Sequence, residues 1–275
     1  MRNKRLFSFI FILGLLSSCQ PQGRTSAASA SASGGAAASS DYIFGGWTAG
    51  RLPLQVSISS DFTSTERDRL VSVSNKWETA GGKNFITFNA ASVSNKDLAS
   101  MNSYLDGRIE VHQVNTSALP SSSLAVTVFN GIVLNSGTSD EYVRINDADI
   151  LFNYNDFVFN TNPSIGEWDL ESVMIHEVGH LLGMSHISAS SKVSVMNPTI
   201  SSGAKIRTLF DIDKANIKSN YGTSSSSLSF AVSGGASNEP EAPEEGEFVS
   251  GYFELSADKT CTHVINGKVV HQHKR

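Results

Sequence analysis

Apolar and polar residues alternate over RLPLQVSIS, where Leu54, Val56 and Ile58 share one side, the period of a half-buried strand. Thr63 followed by Glu66 makes a capping box, and Leu70, Val73 and Trp77 mark the buried side of the helix it opens, which stops at Gly81-Gly82. NFITF (84–88), RIEVHQV (108–114), LAVTVF (124–129) and ADILFN (148–153) read as further strands. In the second of these Ile109 and Val111 share a face, which leaves His112 on the polar face as a solvated side chain. Leu170, Val173, Met174, Val178, Leu181 and Leu182 then recur at helical spacing in one apolar stripe, with Asp169 at the N-cap position. LFDIDKANIKSNYG (209–222) predicts a last helix closed by Tyr221-Gly222.

The stripe matters because of what lies off it. HEVGHLLGMSH, from His176 to His186, holds three of the chain's seven histidines. His176 and His180 are four apart, one helical turn, so two imidazoles can hold one metal ion from the same side. Glu177 lies about 100° around the helix, within reach of the metal without binding it. Gly183 suits a left-handed helix end, and the chain turning there brings His186 back as a third ligand. Three protein ligands with an open fourth position are the pattern of catalytic zinc.

H-E-x-x-H-x-x-G-x-x-H resembles the motif of the metzincin zinc peptidases. SVMNP supplies Met196 ten residues after His186, and M-x-P with so short a gap is similar to the matrixin branch, the matrix metalloproteinases and their bacterial relatives. The resemblance covers about residues 42–222 and is specific at 176–198. It implies an α+β fold: a mixed, mostly parallel twisted sheet, three main helices, and a zinc cleft between upper and lower subdomains. It implies one catalytic Zn²⁺ on His176, His180 and His186, a Met-turn at Met196 under the metal, and a substrate-pocket wall at Pro198 and Ile200. The implied activity is zinc-dependent endopeptidase, with Glu177 as general base and an extended protein or peptide substrate paired along a sheet edge, for which Leu124–Phe129 is the candidate. There are departures. Ile187 stands where matrixins usually have Ser, and Ile200 where they often have Tyr. No Cys lies between Cys19 and the zinc helix, so the family's cysteine-switch propeptide is absent. His112 alone cannot make a second, structural zinc site. TSDEYVRINDADI is rich in the oxygen donors calcium prefers but lacks calcium-loop spacing, which leaves Ca²⁺ a weak candidate.

The ends of the chain read differently. Residues 1–18 carry Arg2, Lys4 and Arg5 and then LFSFIFILGLL, too short for a permanent span but the length of a signal-peptide core. LSSC resembles a bacterial lipobox, which predicts an exported lipoprotein anchored through lipid on Cys19 at the outer membrane or cell surface. Residues 19–41 read as an Ala/Ser-rich tether, 42–222 as the peptidase domain, 223–247 as a Ser/Gly/Glu-rich linker, and 248–275 as a C-terminal β-hairpin turning at Asn266-Gly267. Its Cys261, His263, His271 and His273 read as incidental groups on an exposed hairpin, without the Cys pairing of a zinc module. The formal net charge is −5, and loss of 1–18 removes three cations and no acid. So acidic a chain excludes nucleic acid and electrostatic membrane binding, and nothing in it calls for more than a monomer. Two other readings stand beside the peptidase. One is a catalytically silent lipoprotein that binds a peptide or partner, against which the intact Glu177 speaks. The other is a zinc enzyme acting on something other than protein.

Overall fold

The computed structural model of the chain describes residues 43–188, 191–222, 246–257 and 260–274. The expected signal segment, Cys19, the tether and residues 223–245 of the expected linker lie outside the described residues. No helix among the described residues is long and apolar enough to cross a membrane.

The strands are β1 (Gly45–Gly46), β2 (Leu54–Ile58), β3 (Ile86–Phe88), β4 (Ile109–Val114), β5 (Ser123–Leu134), β6 (Tyr142–Asn153), β7 (Phe159–Asn160), β8 (Trp168–Asp169), β9 (Glu247–Ser256), β10 (Thr260–Ile265) and β11 (Lys268–Lys274). The helices are α1 (Ser64–Gly81), α2 (Leu170–Leu181) and α3 (Asp211–Tyr221). One mixed sheet runs β11-β10-β9-β5-β6-β4-β2-β3, with β1 also on β6. The pairs from β3 to β6 are parallel, whereas β6-β5, β5-β9, β9-β10 and β10-β11 are antiparallel. The mixed sheet with three helices is the expected one.

Each expected element has its local cause. Thr63 Oγ1 accepts from the Glu66 amide and Glu66 reaches back to the Thr63 amide at 2.8 Å, while Gly82 ends α1 at φ 70°. Leu70, Val73 and Trp77 are buried against the sheet and α2, and Trp77 Nε1 donates to the Ile175 carbonyl at 3.0 Å. Asp169 caps α2 by accepting from the Ser172 amide at 2.9 Å, and Arg207 Nε donates to the same oxygen at 2.9 Å.

The structure corrects three expectations. The sheet is covered on both faces, by the main core on the helix side and by Tyr104, Val114, Leu119, Val126, Val128 and Leu151 on the other. The polar face of β4 is therefore buried, and so is His112, which contacts Glu110 Oε2 at 2.9 Å. Burial lowers the His112 pKa and raises that of nearby Asp149 to about 9. Next, α2 is not amphipathic in its surroundings. All twelve residues are buried, the off-stripe face included, because β5 and the C-terminal strands lie over it. Lastly, the C-terminal region is not an exposed hairpin. It is three strands joined to the main sheet through β9. The turn at Asn266 (φ 49°) and Gly267 (φ 72°) falls where the sequence puts it, but Cys261 and His263 are buried.

Candidate metal centre

Helix α2 carries His176, Glu177 and His180, and its end determines where His186 goes. Gly183 adopts φ 84°. A Cβ at this position would collide with the Gly45 carbonyl, because the segment before β1 is laced to this turn. The Phe44 amide donates to the Gly183 carbonyl at 2.9 Å and Trp47 Nε1 to the Leu181 carbonyl at 2.7 Å. Asn220 of α3 ties the Gly45 and Leu182 carbonyls together, at 2.9 and 3.2 Å. The turn sends the chain back along α2, and His186 returns to the helix face.

The three Nε2 atoms converge. His176 to His180 is 2.9 Å, and His186 lies 3.0 Å from each. Nitrogens about 2.0–2.1 Å from a tetrahedral ion would stand about 3.3 Å apart. His176 Nδ1 meets the Val195 carbonyl and His180 Nδ1 the Met184 carbonyl, each at 2.7 Å. A carbonyl only accepts, so in both rings Nδ1 carries the proton and Nε2 presents a lone pair to the others. Burial holds His176 neutral, with its pKa lowered to about 4, and His180 well below the usual histidine range. Neutral imidazoles presenting lone pairs to one another are satisfied by a cation, so the residues fit a metal ion. Oriented imidazoles with backbone partners on the far nitrogen are what metal ligands generally have. Among the described residues a second possible metal-holding group is His186, Cys261 and His263. It shares His186, whose Nδ1 contacts His263 Nε2 and lies 3.5 Å from Cys261 Sγ.

Met196, Pro198 and Ile200 lie on the segment that follows His186. Met196 is buried in the turn after His186, and a Cβ on Gly179, between the two helical histidines, would run into its sulfur. The Ile187 amide donates to the Met196 carbonyl at 2.8 Å, and Asp213 of α3 takes the Val195 amide at 3.1 Å. Pro198 and Ile200 follow on the segment flanking the site, with Ile200 buried.

Glu177 is fully buried, and its Oε2 accepts from Thr127 Oγ1 of β5 at 2.6 Å. Burial pushes its pKa up to about 8, and the Glu254 charge adds to this, while the Thr127 hydroxyl and the Leu255 amide oppose it.

Thr127, Phe253 and His263 were not among the expected site residues. Phe253 stacks on His180 with centroids 4.7 Å apart and planes 15° apart. Val249, Phe253 and Leu255 alternate along EFVSGYFELS and are buried, a period-2 signal that marks this stretch as a strand.

Three convergent buried imidazoles, two on α2 and one beyond the turn that ends it, form a group that could hold a metal ion. The sequence profile of the family Peptidase_M10, Matrixin, matches residues 84–222, just over half of the chain, and the chain belongs to that family. Metalloendoproteinase 2-MMP of Arabidopsis thaliana is 46% identical over 54 residues, 20% of this chain and 14% of that protein. Metalloendoproteinase 4-MMP of the same plant is 43% identical over 65 residues, 24% of this chain and 18% of that one. The chain thus spans less than a fifth of the length of either relative. Among solved structures, high choriolytic enzyme 1, a hatching enzyme zinc-protease from the medaka Oryzias latipes, is 15% identical. That match covers 52% of this chain and 50% of the other with a TM-score of 0.25, too low to bear on the fold.

Proposed function

We propose that the chain is a zinc-dependent endopeptidase acting on extracytoplasmic proteins, with His176, His180 and His186 as the zinc ligands and Glu177 as the general base. The observation that carries this is the convergence of three Nε2 atoms at 2.9–3.0 Å beside a buried carboxylate, in a chain of the matrixin family. A zinc ion held there supplies Lewis acidity toward water and the scissile carbonyl. The protein does the rest. Val195 and Met184 carbonyls keep two ligand rings in the required tautomer. Thr127 aims the Glu177 carboxylate, which takes a proton from the attacking water and passes it to the leaving amine. Met196 fills the space under α2 and fixes the floor. With β9 displaced, β5 would offer backbone groups to an extended substrate, and the Pro198–Ile200 segment would bound the cleft on the other side. Cleavage of peptides that stops with chelator and returns with zinc tests the reading.

We also propose that lipid on Cys19 holds the protein at a membrane after export. The support is the lipobox-like LSSC behind a short apolar run. Cys19→Ser should move the protein out of the membrane fraction or leave it unprocessed. Unchanged fractionation would remove the proposal.

A further inference from the structure

The seat that the peptidase reading gives to substrate is filled by the chain itself. Strand β9 pairs antiparallel with β5 over its whole length, from Ser123 opposite Ser256 to Val133 opposite Glu247. Its C-terminal end reaches the other wall of the cleft. The Ser256 amide donates to the Pro198 carbonyl at 3.1 Å, and Thr199 bridges to Ser256 in parallel. An extended segment thus lies between the β5 edge and the Pro198–Thr199 segment, where an extended substrate would have to lie.

Side chains complete the closure. The Phe253 ring lies on the His180 imidazole and packs on Phe44 at 4.4 Å and Phe129 at 5.6 Å. The Leu255 amide neighbours the Glu177 carboxylate. From β10, His263 contacts His186 Nδ1, and Cys261 Sγ stands 4.0 Å from His186 Nε2. As a result His176 and His186 are 1% and 4% exposed, and Glu177 and His180 are not exposed at all. A hydrolytic centre so covered cannot admit a peptide. What faces His180 is an aromatic ring rather than a peptide carbonyl, so the covering strand is poorly placed to be cut.

The covering segment is also separable in sequence. The family match ends at residue 222, and β9 begins only at residue 247, so the cover lies outside the stretch that makes the chain a matrixin. Without it the β5 edge would present unpaired backbone groups ready to pair with another strand.

We propose that Glu247–Lys274 is an inhibitor carried in the chain, its first strand occupying the substrate seat on β5 and its Phe253, Cys261 and His263 closing the metal centre. The enzyme is then latent until this segment is displaced. The inference rests on the peptidase reading of the same site.

The test uses the full chain, zinc-loaded, with a specific protease recognition sequence inserted within residues 223–245. The intact chain is compared with chain that has been cut and cleared of its C-terminal fragment. Clearing should raise the cleavage rate of an extended peptide at least about 100-fold, the ratio for a seat open in about 1% of intact molecules or fewer. Hydrogen exchange gives a readout independent of catalysis. Amides of β5 that face β9 should be protected in the intact chain and exchange fast in the cleared one. If the cleared domain loses its fold by circular dichroism, uncut Phe253→Asp decides. Carried in a Cys19→Ser background, where Cys261 is the remaining thiol, it should speed both thiol labelling and peptide cleavage. Equal cleavage by intact and cleared chains, freely exchanging β5 amides in the intact chain, or wild-type labelling and cleavage by Phe253→Asp overturns the proposal. Cleavage by neither form, with zinc bound, overturns the peptidase reading instead, and the inhibitory role with it.

Discussion

Glu177→Ala, measured in chain freed of its C-terminal segment, is expected to keep its zinc and lose about 10²–10⁴-fold in peptide cleavage rate, the usual worth of a positioned general acid-base group. Zinc is kept because the three Nε2 atoms and the carbonyls that orient two of the rings do not involve this side chain. The fold should tolerate the change. Thr127 Oγ1 loses the carboxylate but still faces the Glu177 backbone carbonyl at 3.1 Å. Zinc content and cleavage rate must be read on the same sample. Full zinc with a wild-type rate would take the proton-transfer role away from Glu177, and loss of zinc would make it a ligand.

Gly183→Ala is expected to damage the fold and the metal site together. The position needs φ 84°, and a non-glycine residue held in such a region costs on the order of 1–3 kcal/mol. The added Cβ would also strike the Gly45 carbonyl, which is backbone held by Asn220 and cannot swing aside as a flexible side chain would. Relief of the collision means moving either the segment before β1 or the turn that returns His186. Denaturant unfolding should therefore show a loss of about 2 kcal/mol or more, and zinc affinity should fall in parallel. Wild-type stability would mean that the Phe44–Gly46 segment is not seated on this turn in solution.

The parts of this site that were legible in sequence are those set by local spacing. The four-residue spacing of His176 and His180, a glycine at the helix end, and a Met-x-Pro turn each act through their immediate neighbours. The capping box at Thr63 and the N-cap at Asp169 are local in the same sense. What was not legible depends on which surfaces meet. His112 sits at a polar position by alternation, yet the second core layer closes over it, and its hydrogen-bond partner Glu110 is two residues away on the same strand. The stretch 247–256 alternates well enough to be a strand, but nothing in its own pattern says that it will pair with β5, more than a hundred residues earlier. The buried state of Cys261 and His263 follows from that pairing, so a hairpin read by itself looks exposed. The edge first assigned to substrate, Leu124–Phe129, lies in β5, whose outer side is paired with β9.

The most direct measurement is made on zinc-loaded chain cleared of its C-terminal segment, incubated with a mixed peptide library, with the cut sites read by mass spectrometry. Cleavage at internal peptide bonds, abolished by chelator and restored by zinc, is the expected result. A fully zinc-loaded, folded protein that leaves every peptide intact, or cleavage indifferent to chelator, would contradict it.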